Sequence, residues 1–150
     1  MPLPYPRGDA PRFAAWERAL VRRAARAAKA SYSPYSQFSV GAAVRTANGR
    51  TFTGTNVENA SYGLTVCAER VAVFAAVTAG ERRLRAVAVV GGRGRAVPPC
   101  GACLQVLAEF AGHELIVLLA PLDAPDRIQR LTLADCLPRA FTLAKGPGRS

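Results

Sequence analysis

Apolar residues near the start of the chain recur at helical spacing: Phe13, Trp16, Leu20, Ala24 and Ala27, with arginines on the other side. Asp9 and Pro11 ahead of them supply a helix start signal. The pattern then changes. "FSVGAAVRTANGRTFTG" reads as two strands joined around Asn48-Gly49, the dipeptide that most strongly marks a hairpin. A polar run, "TNVENASYG", leads to Cys67, from which "CAERVAVFAAVTAG" predicts a buried helix ending at Gly80. "LRAVAVVGG" is an almost unbroken apolar run, as expected of a strand covered on both faces. After a loop with Pro98 and Pro99 comes a helix opening on C-x-x-C, and "HELIVLLA" predicts another inner strand. The tail predicts a short strand near Ile128 to Leu131, a short helix, and a loose Gly/Pro-rich end.

Helices alternating with hydrophobic strands predict a three-layer α/β/α sandwich. The 150 residues fit one domain, 1–150, with a core over about 10–141. No stretch reaches the ~20 apolar residues of a membrane span, and "MPLPYPRGDAPRF" lacks the apolar core of a secretory signal. Four cysteines without an export signal are expected to stay reduced in the cytoplasm, which favours metal or catalytic roles over disulfides.

The net charge of +10 raises the question of nucleic acid. Arginines cluster at Arg12, Arg18, Arg22, Arg23 and Arg26, and again at Arg82, Arg83, Arg85, Arg93 and Arg95. No aromatic residues interleave with them as a base-stacking platform requires. They are read as solvated faces with a general attraction to polyanions, and a dedicated nucleic-acid function is not expected.

"VPPCGACLQVL" offers two thiols at the start of a helix, and zinc bound by protein alone takes four ligands. Cys136 sits among apolar residues and reads as a small buried hydrophobe. His113, the single histidine, precedes a strand and reads as a surface or capping residue. Cys67, Cys100 and Cys103 remain, each in the first turn of a helix, where amide N–H groups and the helix dipole favour a thiolate. Three ligands with an open position is the catalytic zinc pattern. A redox pair, or a structural site completed by His113 or Cys136, stays open on spacing alone. Glu69 favours the catalytic reading, since a carboxylate two residues from a ligand can carry protons for an activated water without binding the metal.

C-x-E followed by P-C-x-x-C, here "VCAER" and "PPCGAC", is a known signature of zinc nucleobase deaminases. With "FSVGAA", "NVENASYG", "CAERVAVFAAV" and "PCGACLQVLAEF" in the same order, the chain from about Tyr32 to Phe141 resembles the small homotetrameric cytidine deaminases. The resemblance implies an α/β/α sandwich around a mixed sheet of about five strands. It implies hydrolytic deamination of cytidine and 2′-deoxycytidine in pyrimidine salvage, with one zinc per chain on Cys67, Cys100 and Cys103. Glu69 would serve as the proton carrier. Asn56 and Glu58 would bind the ribose and base, and Phe38 would pack near the nucleoside. Ala60, Tyr62 and Phe141 would reach a neighbouring subunit's pocket in a homotetramer with shared sites. Related readings are a blasticidin S type deaminase, a deaminase of polynucleotides, or a non-catalytic zinc module. Two positions depart from the family pattern: Leu104 stands where an arginine is frequent, and Cys136 replaces a hydrophobe. With three thiolates around a divalent ion, Arg70, three residues after Cys67, is the expected source of charge compensation.

Overall fold

The computed structural model describes residues 12–146. Its elements run α1 (Ala15–Ala27), β1 (Val40–Thr46), β2 (Thr51–Thr55), α2 (Ala68–Thr78), β3 (Leu84–Gly91), α3 (Gly101–Phe110), β4 (Ile116–Ala120), β5 (Gln129–Thr132) and α4 (Leu133–Cys136). The sheet order is β2-β1-β3-β4-β5; only β3 and β4 are parallel, joined by the α3 crossover, and the other pairs are antiparallel. The expected α/β/α sandwich with a mixed five-stranded sheet is therefore present.

Alternation along the strands divides the core into two layers. Val87 and Val89 of β3 and Val117 and Leu119 of β4 face α2 and α3, where Ala72, Val73, Ala76 and Leu107 close over them. Ala86, Ala88 and Val90 face the other way, with Ala43 and Leu118, and meet Leu20, Val21 and Ala24 of α1. A register shift pairs Arg45 with Ala86 but Thr46 with Leu84, and this irregularity turns Leu84 onto the α2 side.

Two glycines set the helix-to-sheet spacing. A Cβ on Gly41 would collide with the Ala24 carbonyl oxygen and the Ala28 nitrogen, so the close approach of α1 to β1 requires glycine at that position. A Cβ on Gly54 would stand 2.5 Å from both the Ala68 carbonyl oxygen and the Ala72 nitrogen, so β2 admits the first turn of α2 in the same way. That contact fixes the helix start carrying Cys67.

The hairpin turns where Asn48-Gly49 placed it. Gly49 has φ +91°, and Thr46 N–H donates to the Arg50 carbonyl, closing a three-residue loop. Two expectations are corrected. Asp9 and Pro11 lie outside the described residues, but residues 12–14 are non-helical and α1 opens at Ala15, where the Ala14 N–H donates to Glu17 Oε2 at 2.7 Å. That carboxylate reaches back to the N-cap amide, so the helix start is set by Ala14 and Glu17. The α2 helix is buried on one face only; Phe74 is half exposed, because the sheet covers just one side. Cys136 is half-buried and packs against the α2–α3 core.

Candidate active site

Cys67 is the N-cap of α2 and Cys100 the N-cap of α3, with Cys103 in the first turn of α3. Both helices begin at the same end of the sheet, so their starts converge. The Sγ atoms of Cys67 and Cys100 are 3.9 Å apart, and those of Cys100 and Cys103 are 3.6 Å apart. All three lie within 4.8 Å of one another and could hold a metal ion. A tetrahedral zinc with Zn–S distances near 2.3 Å separates its sulfurs by about 3.8 Å, so the donor set fits that ion. Neither His113, which is exposed, nor Cys136 joins the cluster, leaving three sulfurs and no fourth protein ligand among the described residues.

Hydrogen bonding differentiates the thiols. The neighbouring Cys103 thiol and the Arg70 guanidinium, whose Nη2 lies 3.5 Å from the Cys67 sulfur, bring Cys67 down to about 5. The adjoining Cys67, reinforced by burial, pushes the Cys103 thiol up. The Arg70 guanidinium is in turn held in its charged form, chiefly by Cys67. Its Nε is buried without a partner, a donor suited to a site richer in negative charge than the thiols alone. Leu104 is 7% exposed and belongs to the α2–α3 core, so it contributes packing and no charge.

Glu69 is 4% exposed, one residue inside α2. Burial raises its pKa above the ordinary carboxylate value, and the Cys103 thiol is beside it. A buried carboxyl group with no cationic ion-pair partner among the described residues is costly to keep unless it has work to do.

The polar run leads directly to this cluster. Val57, between Asn56 and Glu58, pairs with Val66, the residue before Cys67. Glu58 Oε1 accepts the backbone N–H groups of Tyr35 (3.0 Å) and Ser36 (3.1 Å), and Ser36 is the main cause of its lowered pKa. With Tyr35, Ser36, Tyr62 and Thr65, Glu58 lines an open cleft of about 310 Å³. Asn56 is buried and largely committed to hydrogen bonds within the fold. Its Oδ1 accepts from Ser31 Oγ (2.6 Å) and Val40 N–H (2.9 Å), and its Nδ2 donates to the Phe38 carbonyl (2.8 Å). One amide hydrogen is left. Asn56 thus ties the chain after α1 to the start of β1 and fixes the backbone of Phe38. Ser31, Tyr35 and Ser36 were not singled out by the sequence pattern, because their roles arise from contacts more than twenty residues away. Ala60 and Tyr62 are exposed, as is Phe141, whose carbonyl accepts from Gln105 Nε2 on α3 at 2.8 Å.

Three thiols at converging helix starts, an α/β/α scaffold and a buried glutamate define a metal-assisted hydrolytic enzyme. Residues 14–119 match the family model for the cytidine and deoxycytidylate deaminase zinc-binding region, and the chain belongs to that family. It is 48% identical over 123 residues to the cytidine deaminase of Halalkalibacterium halodurans, covering 82% of this chain and 92% of the relative. It is 50% identical over 120 residues to the cytidine deaminase of Mycobacterium tuberculosis, covering 80% and 85% of the two chains. The crystal structure of cytidine deaminase from Burkholderia pseudomallei superposes with a TM-score of 0.77 at 46% identity, over 82% of this chain and 97% of that one. The Mycobacterium tuberculosis crystal structure gives 0.72 at 47% identity, over 87% and 100%.

Proposed function

We propose that this chain hydrolyses cytidine and 2′-deoxycytidine to uridine and 2′-deoxyuridine, releasing ammonia, in pyrimidine salvage. The observation that carries the reading is the buried Glu69 beside a three-thiol cluster, one β-bridge away from the Glu58 cleft. Relatives of nearly full length named cytidine deaminases support it.

Cys67, Cys100 and Cys103 are the residues that would hold zinc. When bound, the ion supplies the Lewis acidity that makes water nucleophilic at neutral pH. Glu69 would move the protons: it accepts one as water adds to C4 and delivers it to N3, then takes the proton of the new C4 hydroxyl and passes it to the departing amine. Water adds across the ring C=N bond, the C4–N4 bond breaks, and ammonia leaves with the balance of protons. Burial suits Glu69 to this exchange, since a carboxyl group whose pKa is raised toward neutrality both takes and returns a proton readily. Glu58, anchored by the Tyr35 and Ser36 amides, presents its remaining oxygen to a ribose hydroxyl, and Asn56 its remaining N–H. Phe38 offers an apolar wall, 42% exposed in one chain. Arg70 draws negative charge from the thiolates.

Tyr62 and Phe141 are 73% and 70% exposed, which suits residues that complete a neighbour's pocket together with Ala60 in a homotetramer. Among the described residues no helix is long and apolar enough to cross a membrane. The free thiols call for a reducing compartment, which favours the cytoplasm. Loss of cytidine absorbance in the ultraviolet tests the proposal, beside blasticidin S and cytosine-containing single-stranded DNA as substrates. Turnover of either alternative in place of the nucleosides would reject it.

A further inference from the structure

The outward side of α1 carries Arg18, Arg22 and Arg26, and Lys29 follows in the 3₁₀ turn that extends the helix. All four are exposed, while Leu20, Val21, Ala24 and Ala28 face the sheet. At 3.6 residues per turn the four cations fall in one stripe about 80° wide, each step along it about 6 Å. That repeat resembles the distance between successive phosphates on a nucleic-acid strand.

The stripe is uncompensated. The one acidic residue of α1, Glu17, is buried and bound by Arg130, whose Nε donates to it at 2.8 Å. Away from α1, ion pairs hold Arg50 to Glu81 and Lys145 to Glu109. Among the described residues no carboxylate pairs with Arg18, Arg22, Arg26 or Lys29; Arg18 donates to the Phe13 carbonyl and keeps its charge. The stripe also lies on the layer opposite α2 and α3, away from the thiols.

We propose that this face of α1 binds the phosphate backbone of nucleic acid, independently of sequence and separately from the deaminase site. A backbone ligand is favoured over stacked bases because no aromatic side chain stands on the stripe. It is favoured over an anionic bilayer because the stripe has no apolar anchor. The aromatic residues flanking the start of α1 are partly buried against its core: Phe13 lies under Arg130, and Trp16 has the Arg45 and Arg85 guanidinium carbons 5.1 and 5.8 Å from its ring centroid.

Fluorescence anisotropy with labelled oligothymidylate, which contains no cytosine, tests the surface on the intact enzyme. Four phosphate contacts on a single strand give a log–log salt slope of about −2.8, an affinity loss of roughly 50-fold between 50 and 200 mM salt. Arg22→Gln with Arg26→Gln should reduce the slope to about −1.4, while cytidine turnover stays unchanged. Arg83→Gln, on the loop entering β3, should leave the slope as it was. An unaltered slope in the double variant, an equal fall in Arg83→Gln, or retention on phosphatidylserine vesicles without oligothymidylate binding would each overturn the proposal.

Discussion

The Arg70 guanidinium reaches back to the N-cap of its own helix and lies 3.5 Å from the Cys67 sulfur. Three thiolates around Zn²⁺ sum to a formal charge of −1, which weakens the ion as a Lewis acid. With Leu104 buried in the core, Arg70 is the cation hydrogen-bonded to the cluster among the described residues. Arg70→Ala should keep much of its zinc, lose kcat, and move the activity-controlling pKa upward. A pH–rate profile matching the parent in height and position would remove Arg70 from this role.

The neighbouring Cys103 thiol, with Arg70 adding to its effect, sets the reactivity of Cys67 in the metal-free chain. Cys67 stands at about 5, so it is a thiolate at neutral pH. Its alkylation by iodoacetamide should be nearly constant from pH 7 down to 6 and decline as pH falls through 5. Cys103 is held protonated and should react far more slowly. Peptide mapping after brief labelling reads both rates; in Arg70→Ala the Cys67 profile should shift to higher pH.

Glu69→Gln keeps the shape of the side chain and removes its proton-carrying capacity. Metal content should be retained while kcat falls by at least the 10²–10⁴-fold of general acid–base catalysis, about 3–5 kcal/mol of barrier. Near-normal turnover would exclude Glu69 as the proton carrier.

Metal analysis separates the four cysteines. Serine at Cys67, Cys100 or Cys103 should deplete the single zinc, whereas Cys136→Ser should preserve both zinc and activity. Full occupancy in all three ligand variants would reject the site.

Asn56 and Glu58 should separate in the type of loss they cause. Asn56→Ala strands the Val40 N–H and the Phe38 carbonyl and removes the Ser31 hydroxyl's bond to Oδ1, and should destabilise the fold by about 1–3 kcal/mol as well as impair activity. Glu58→Ala, in an open cleft, should raise KM for cytidine and narrow its advantage over free cytosine, with little change in Tm. Deleting residues from Phe141 onward should impair catalysis more than zinc content; a fully active monomer on a sizing column contradicts the shared site.

The local signals in the chain were sufficient for the order and type of its elements, though not for the start of α1, and for the chemical set. Periodicity located the strands of the sheet because alternation and unbroken apolar runs are local consequences of burial. The Asn48-Gly49 turn and the helix starts at Cys67 and Cys100 were legible for the same reason: they depend on neighbouring residues. The motif order carried the resemblance, and with it Glu69 and the three thiols. Tertiary structure alone decided which groups meet and in what state. Gly41 and Gly54 admit helices whose contacting residues lie far along the chain, and no local pattern announces that approach. Asn56 was read as a sugar ligand, yet most of its amide is committed to Ser31, Phe38 and Val40. Composition showed an excess of arginine, but only the winding of α1, with Glu17 turned inward to Arg130, leaves four cations in one uncompensated line. Hydrogen bonds and charge compensation act through space at a few ångströms, so they are settled only once packing has brought distant residues together.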